Sequence, residues 1–289
     1  MELLNFWGKN QKLIEKELKN WLKNKSSSLI YQAMRYSVFS GGKRLRPLLV
    51  LAAAQTCDGK TKQILPVACA LELVHTYSLI HDDLPALDND DFRRGKLSCH
   101  RKFGEAVAIL TGDALLTKAF EIIAKTVEPK ILAQVVKEIT SACGVNGMIE
   151  GQMEDIALSP DLPRRVKAGS IKSAPQELEK IYQKKTAGLI KTCIKIGAIL
   201  SKAKPKEMRA LEKYGENIGL AFQISDDIID YQQERKINKL TYAQIYGLLR
   251  AEKRVKELVA KAKKELEIFA HRRAQVLKQF ADFIATRKK

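Results

Sequence analysis

The chain has 289 residues, 45% of them hydrophobic and 29% charged, which is enough apolar material for a sizeable core and ordinary for a globular protein. A net charge of +18 points to an anionic partner, whether nucleic acid, a membrane surface or a phosphorylated small molecule. Much of that charge follows residue 249, where thirteen Lys or Arg stand against five Asp or Glu; the stretch reads as a solvated helix face. Aromatic residues make up 7% and do not alternate with basic ones, which argues against a single-strand nucleic-acid groove.

The five cysteines (Cys57, Cys69, Cys99, Cys143 and Cys193) are scattered and form no CxxC, so neither a disulfide framework nor a zinc site is expected and a reducing, cytoplasmic compartment is. The first segment carries charges throughout and has no apolar signal core. No stretch is expected to reach the roughly 18 apolar residues of a membrane span.

In chain order, apolar residues recur at helical spacing through Leu13, Leu18 and Trp21–Leu22, then over 47–56, 66–82, 105–125, 129–143, 177–200, 206–230 and 250–284. Breaks fall at Gly41-Gly42, Asp58-Gly59, Pro85, Pro129 and Gly144, and over 159–176, a long irregular connection. The expectation is an all-α fold, a single domain of many packed helices spanning 1–289.

Two aspartate clusters end apolar helices. In the first, HDDLPALDNDDFRRG (81–95), Pro85 disfavours helix at Leu84, which places Asp82 and Asp83 in the last turn and lets Asp88 fold back beside them. The negative end of a helix is a poor place for carboxylates unless a cation compensates. Oxygen donors without His or Cys suit magnesium. In the second, GLAFQISDDIID (219–230), Gln223, then Asp226 or Asp227, then Asp230 share one helix face among apolar neighbours. Either cluster alone reads equally well as a solvated acidic face; together they point to metal binding.

Cations accompany them. GGKRLRP (41–47) offers Lys43 and Arg46 beside two glycines, with Pro47 suited to the first position of the next helix, a geometry for diphosphate at a helix start. Arg93 and Arg94, being adjacent, are able to point to different sides; the plainer reading is a salt bridge to Asp90 or Asp91. His75 lies two helical turns before Asp82, and taken alone is a core histidine. Lys185 and Thr186 sit inside a helical stretch, where a lysine either meets an anion or snorkels.

These segments in order, GGKRLRP, DDLPALD with RRG, GQMED (151–155), KT and FQISDD, resemble the bacterial farnesyl diphosphate synthases of the trans-polyprenyl synthase family over nearly the whole chain. The resemblance implies an all-helical homodimer around a deep central cavity. It implies isopentenyl diphosphate on Lys43, Arg46, His75 and Arg94, and the allylic diphosphate on Arg93, Lys185, Thr186 and Gln223. Asp82 and Asp88 would hold two magnesium ions and Asp226 a third, with Asp83, Asp227 and Asp230 secondary. Tyr77, five residues before Asp82, would floor the cavity and set a fifteen-carbon product.

One departure stands out. After Asp230 the family has a longer, glycine-containing loop with a diphosphate-binding lysine; here the chain reads YQQERKINKLTY, and Lys236 or Lys239 is the candidate replacement. The rivals are a synthase of geranylgeranyl or longer diphosphates, a terpene cyclase, a catalytically weak subunit, and a basic helical protein that binds nucleic acid or an anionic membrane.

Overall fold

The computed structural model describes residues 2–23, 28–157, 175–232 and 241–287. Its helices, in chain order, are α1 (Glu2–Trp21), α2 (Leu29–Val38), α3 (Leu45–Thr56), α4 (Thr61–Asp82), α5 (Cys99–Phe103), α6 (Glu105–Thr126), α7 (Pro129–Cys143), α8 (Glu150–Ala157), α9 (Pro175–Tyr182), α10 (Gly188–Leu200), α11 (Pro205–Gln232), α12 (Tyr242–Tyr246), α13 (Leu248–Glu265) and α14 (His271–Thr286). The all-α expectation holds.

Several details differ from the sequence expectations. A two-strand hairpin, β1 (Phe92–Arg93) and β2 (Lys96–Leu97), interrupts the helices; its turn takes positive φ at Arg94 and Gly95, the twist a tight hairpin needs. The stretch expected as one helix over 250–284 is two. Leu266–Ile268 tighten into a 3-10 turn and Phe269 leaves the helix with extended dihedrals; Leu266 and Phe269 are both buried, so packing overrides a pattern that holds no Gly or Pro. Helix α3 begins at Leu45, two residues ahead of Pro47, which sits in the first turn where its missing N–H costs nothing. The stretch 159–176 lies outside the described residues up to 174, and Pro175 opens α9.

The described residues group into two compact units, one of Leu3–Leu51 and Lys60–Val136, the other of Ala52–Gly59 and Lys137–Lys289. In the first, α4 packs along α6, and α2 and α5 also pack on α6. Helix α4 is apolar on all sides and buries Val67, Leu71, Leu73 and Val74 completely, so it is the core helix of this unit. Its 22 residues, with a mean hydropathy of 1.4 over the best window, are long and apolar enough to cross a membrane, which corrects the expectation that no stretch qualifies. Within that window 67% of residues are buried against the protein itself.

In the second unit α11 is the central element, packed against α10, α13, α12 and α14. The Tyr214 hydroxyl donates to the Leu277 carbonyl at 2.7 Å and the Ser225 hydroxyl to the Ile284 carbonyl at 3.1 Å, tying α14 to α11. A wide π turn, Gln183–Ala187, precedes α10, and a segment kinked at Gly147, Val145–Ile149, precedes α8. All five cysteines are buried and free.

One buried charge organises the start of α3. Arg44, with positive φ, donates to Glu15 Oε1 at 2.7 Å, Glu72 Oε1 at 2.9 Å and the Val38 carbonyl at 2.6 Å, thereby joining α1, α2 and α4. Its side chain is 1% exposed and that of Glu72 2%. Removing one member of a buried pair strands the other. Arg44→Ala is expected to lower unfolding free energy by roughly 3–5 kcal/mol in a denaturant titration; a loss near zero would contradict this role.

Candidate functional site

The first unit gathers the GGKRLRP cations and the first aspartate cluster. Helix α4 ends at Asp82, with Asp83 as its cap. The chain then turns back: the Asp88 N–H donates to the Asp82 carbonyl at 2.9 Å, and the Asn89 N–H to the Leu84 carbonyl at 3.1 Å. Asp88 therefore lies beside Asp82, both half-exposed, as the break at Pro85 suggests.

Asp83, expected among the metal ligands, is paired with Arg93. It is 2% exposed, and its Oδ1 accepts from Arg93 Nε at 2.9 Å and again from Arg93 Nη2. Arg93 also donates to Asp90 Oδ2 at 2.8 Å. Burial raises the Asp83 pKa while Arg93 opposes the rise, and the pair holds the arginine in place. The salt bridge to Asp90 was one of the alternatives for Arg93, and Asp83 is the partner that sequence did not indicate.

Arg94 points elsewhere, as adjacent residues at a hairpin turn permit. Its Nη1 donates to the Gly41 carbonyl. Gly42, at φ +116°, has no room for a side chain: a Cβ there would meet Arg94 Nη1 at 2.5 Å. The glycine pair thus lets Arg94 lie against the backbone of the loop that carries Lys43. His75, on α4, has its pKa pushed well below 6.5, first by burial and then by Arg46, Arg94, Arg44 and Arg93. Arg46 and Arg94 are thus near enough to His75 to disfavour its charged form. Tyr77 is buried in α4 and meets the His81 ring edge-on at 5.8 Å between centroids.

The second unit holds the second cluster. Lys185 and Thr186 lie in the π turn before α10, and Lys185 Nζ donates to Asp155 Oδ2 at 2.5 Å. Of the two readings of Lys185, the anion partner is the one realised. Gly151 makes room for this: a Cβ there would lie 2.5 Å from the Lys185 backbone nitrogen. Asp155 belongs to GQMED, whose role sequence left unassigned. On α11, Gln223 Nε2 donates to Asp227 Oδ1 at 3.2 Å, so Asp227 rather than Asp226 shares the Gln223 face. Asp227 is buried and also accepts from the Tyr182 hydroxyl and, at 2.9 Å, from the Tyr242 N–H. Burial raises its pKa to about 6. It anchors the start of α12, where the chain re-enters the described residues. Asp226 is more exposed and meets Arg287 Nη2 at 2.7 Å. Lys236 and Lys239 lie outside the described residues.

No group of three His, Cys, Asp or Glu side chains among the described residues forms a metal cage. A single pair or a lone carboxylate, as at Asp82–Asp88 and Asp226, is what magnesium takes when waters and substrate phosphates complete its shell. The all-oxygen donor set fits magnesium and ions of similar chemistry such as manganese.

Comparison with known proteins agrees with this chemistry. The family model for polyprenyl synthetase matches residues 27–267. A geranylgeranyl diphosphate synthase of Cyanophora paradoxa is 37% identical, over 99% of this chain and 96% of its own. A farnesyl diphosphate synthase of Bacillus subtilis is 41% identical over 82% of this chain and 79% of its own. Among solved structures, an FPP/GFPP synthase of Zymomonas mobilis superposes with a TM-score of 0.88 at 33% identity, covering 99% of both chains.

The depressed His75 pKa sets a pH test. His75 stays neutral in the folded chain while the unfolded chain takes up a proton near 6.5, so its contribution is present above that pH and is lost as pH falls below it. Unfolding free energy is expected to drop toward pH 5 by up to about 1.4 kcal/mol per pH unit from this group. A His75→Gln variant should show a flatter profile between pH 5 and 7; an unchanged profile would contradict the assignment.

Proposed function

The chain belongs to the polyprenyl synthetase family and is a trans-prenyltransferase, and from that premise we propose that it condenses isopentenyl diphosphate with dimethylallyl or geranyl diphosphate to give farnesyl diphosphate, as one polyprenyl synthase domain. The observation that carries the reading is the turn after α4, which sets Asp88 beside Asp82 at the end of an apolar helix, with Arg93 fixed next to them.

In this reading Asp82 and Asp88 would hold two magnesium ions and Asp226 a third. Bound magnesium supplies neutralisation of the departing diphosphate. Lys43, Arg46 and Arg94 bind the diphosphate of isopentenyl diphosphate, and neutral His75 adds a hydrogen bond without adding charge. Arg93 is held by Asp83 and Lys185 by Asp155, each within its own unit, and the family resemblance assigns both to the allylic diphosphate. Thr186 and Gln223 donate hydrogen bonds to the same allylic diphosphate. Its carbon–oxygen bond breaks with the electron pair going to diphosphate. The alkene of isopentenyl diphosphate attacks the allylic cation, a carbon–carbon bond forms, and the departed diphosphate takes the proton. The chain needs no nucleophile, only positioned cations and exclusion of water.

Fifteen carbons is the proposed length because the buried Tyr77 ring sits five residues before Asp82 on α4, where the family resemblance puts the floor of the cavity. A second reading, a geranylgeranyl diphosphate synthase, has the Cyanophora relative in its favour. A turnover assay with isopentenyl diphosphate, either primer and magnesium, followed by dephosphorylation and sizing, decides. Farnesol that vanishes with EDTA, and products of twenty or more carbons from Tyr77→Ala, are the expected results. Twenty-carbon product from the unaltered chain would install the second reading, and no product would remove both.

We also propose a homodimer in the cytoplasm. Ile109 and Leu110 on α6 are 45% and 59% exposed, side by side, an apolar surface that a second copy would cover. Sedimentation at about twice the 32.5 kDa chain mass is expected, and a monomer would contradict it. The five free, buried thiols support a reducing compartment, which cell fractionation checks.

A further inference from the structure

The C-terminal end of α14 carries an arginine whose partners are all on α11. Arg287 Nη2 donates to Asp226 Oδ1 at 2.7 Å and to the Phe222 carbonyl at 2.6 Å, and Arg287 Nε donates to the Ser225 hydroxyl at 3.1 Å. The guanidinium carbon lies 3.9 Å from the centre of the Phe222 ring, a cation–π contact. The Arg287 side chain is 5% exposed, whereas Asp226 is 40% exposed. A buried guanidinium thus sits under one face of the carboxylate while the carboxylate stays open to solvent.

That arrangement has a consequence for a divalent cation. Magnesium on Asp226 would bring two further positive charges to a carboxylate already neutralised by Arg287. Like charges at this range repel, and burial of the Arg287 guanidinium limits how far solvent screens them. Beside the contact is a cavity of about 310 Å³ lined by Ser225, Ile228, Glu252, Lys256, Thr286 and Arg287 itself. Glu252 offers a second carboxylate within the same cavity, and the space is ample for a guanidinium to turn into.

We propose that Arg287 is the internal counter-ion of Asp226, holding its carboxylate in the metal-free chain and swinging into the neighbouring cavity when a magnesium diphosphate arrives. Arg287 is a positioning residue in this scheme, acting through Asp226 and touching no substrate. The inference rests on Asp226 being a magnesium ligand, as in the reading above. It assigns a cost to metal loading: the apparent affinity for magnesium diphosphate is lowered by the fraction of molecules in which Arg287 occupies Asp226.

Calorimetric titration of inorganic diphosphate into the full chain, in magnesium and again in EDTA, tests this. Arg287→Ala is expected to tighten binding in magnesium roughly fivefold and to leave binding in EDTA unchanged. Arg287→Lys keeps the charge but loses the forked contacts to Ser225 and Phe222; it is expected to tighten binding by a smaller factor of the same sign, and it carries the test if the alanine variant fails to fold. Binding in magnesium that is unchanged or weaker in both variants overturns the proposal. Asp226→Asn separates the two claims. If it weakens magnesium-dependent binding while the Arg287 variants do nothing, the metal reading stands and the counter-ion falls. If Asp226→Asn binds as the unaltered chain does, the metal reading of Asp226 and this proposal fall together.

Discussion

A carboxylate among apolar neighbours is disfavoured by loss of water and, at a helix end, also by the negative end of the dipole; this chain places Asp82 and Asp83 at the end of α4 and Asp226 and Asp227 within the last two turns of α11. Asp83, Asp226 and Asp227 are each answered by a cation or a donor drawn from elsewhere in the same unit. Asp83 takes Arg93, Asp227 takes Tyr182 and the Tyr242 N–H, and Asp226 takes Arg287. The same logic operates at the cations: Lys185 is held by Asp155, and Arg44 by Glu15 and Glu72. Local structure follows from these pairings. The hairpin at Phe92–Leu97 presents Arg93 to Asp83 and Arg94 to Gly41, and the wide turn at Gln183–Ala187 presents Lys185 to Asp155.

The aspartates accordingly divide by environment rather than by motif. Within each cluster one carboxylate is buried and committed to the scaffold, Asp83 in the first and Asp227 in the second. Asp82, Asp88 and Asp226 are more open to solvent, and these are the groups with the chemistry to meet a hydrated magnesium ion carried by a diphosphate. Diphosphate departure asks for concentrated positive charge at one moment of the reaction. In the proposed mechanism Arg93 and Lys185, each clamped by a buried carboxylate, are in place before that moment.

Much of this was legible in the sequence. Helical period located the longest helices but not α2, α5, α8 or α12, Pro85 placed the end of α4, and the spacing from Asp82 to Asp88 implied a fold-back that the Asp88 N–H bond to Asp82 realises. Pairings that join distant positions were not legible. Nothing in local pattern links Lys185 to Asp155, Asp227 to Tyr182, or Asp226 to Arg287, because such contacts depend on how helices pack and not on periodicity. The break between α13 and α14 escaped for a similar reason: burial of Leu266 and Phe269 decides it, with no Gly or Pro to mark it. Burial also separates Asp83 from Asp82, a distinction that two adjacent identical letters do not carry.

The central claim is that the exposed carboxylates exist to meet a divalent cation. Crystals of the full chain soaked with manganese chloride and inorganic diphosphate, measured at the manganese absorption edge, test it directly. The account expects anomalous peaks within bonding distance of Asp82, Asp88 and Asp226, and none on Asp83 or Asp227. Diphosphate bound by arginines and lysines alone, with no manganese on those three aspartates, would contradict it.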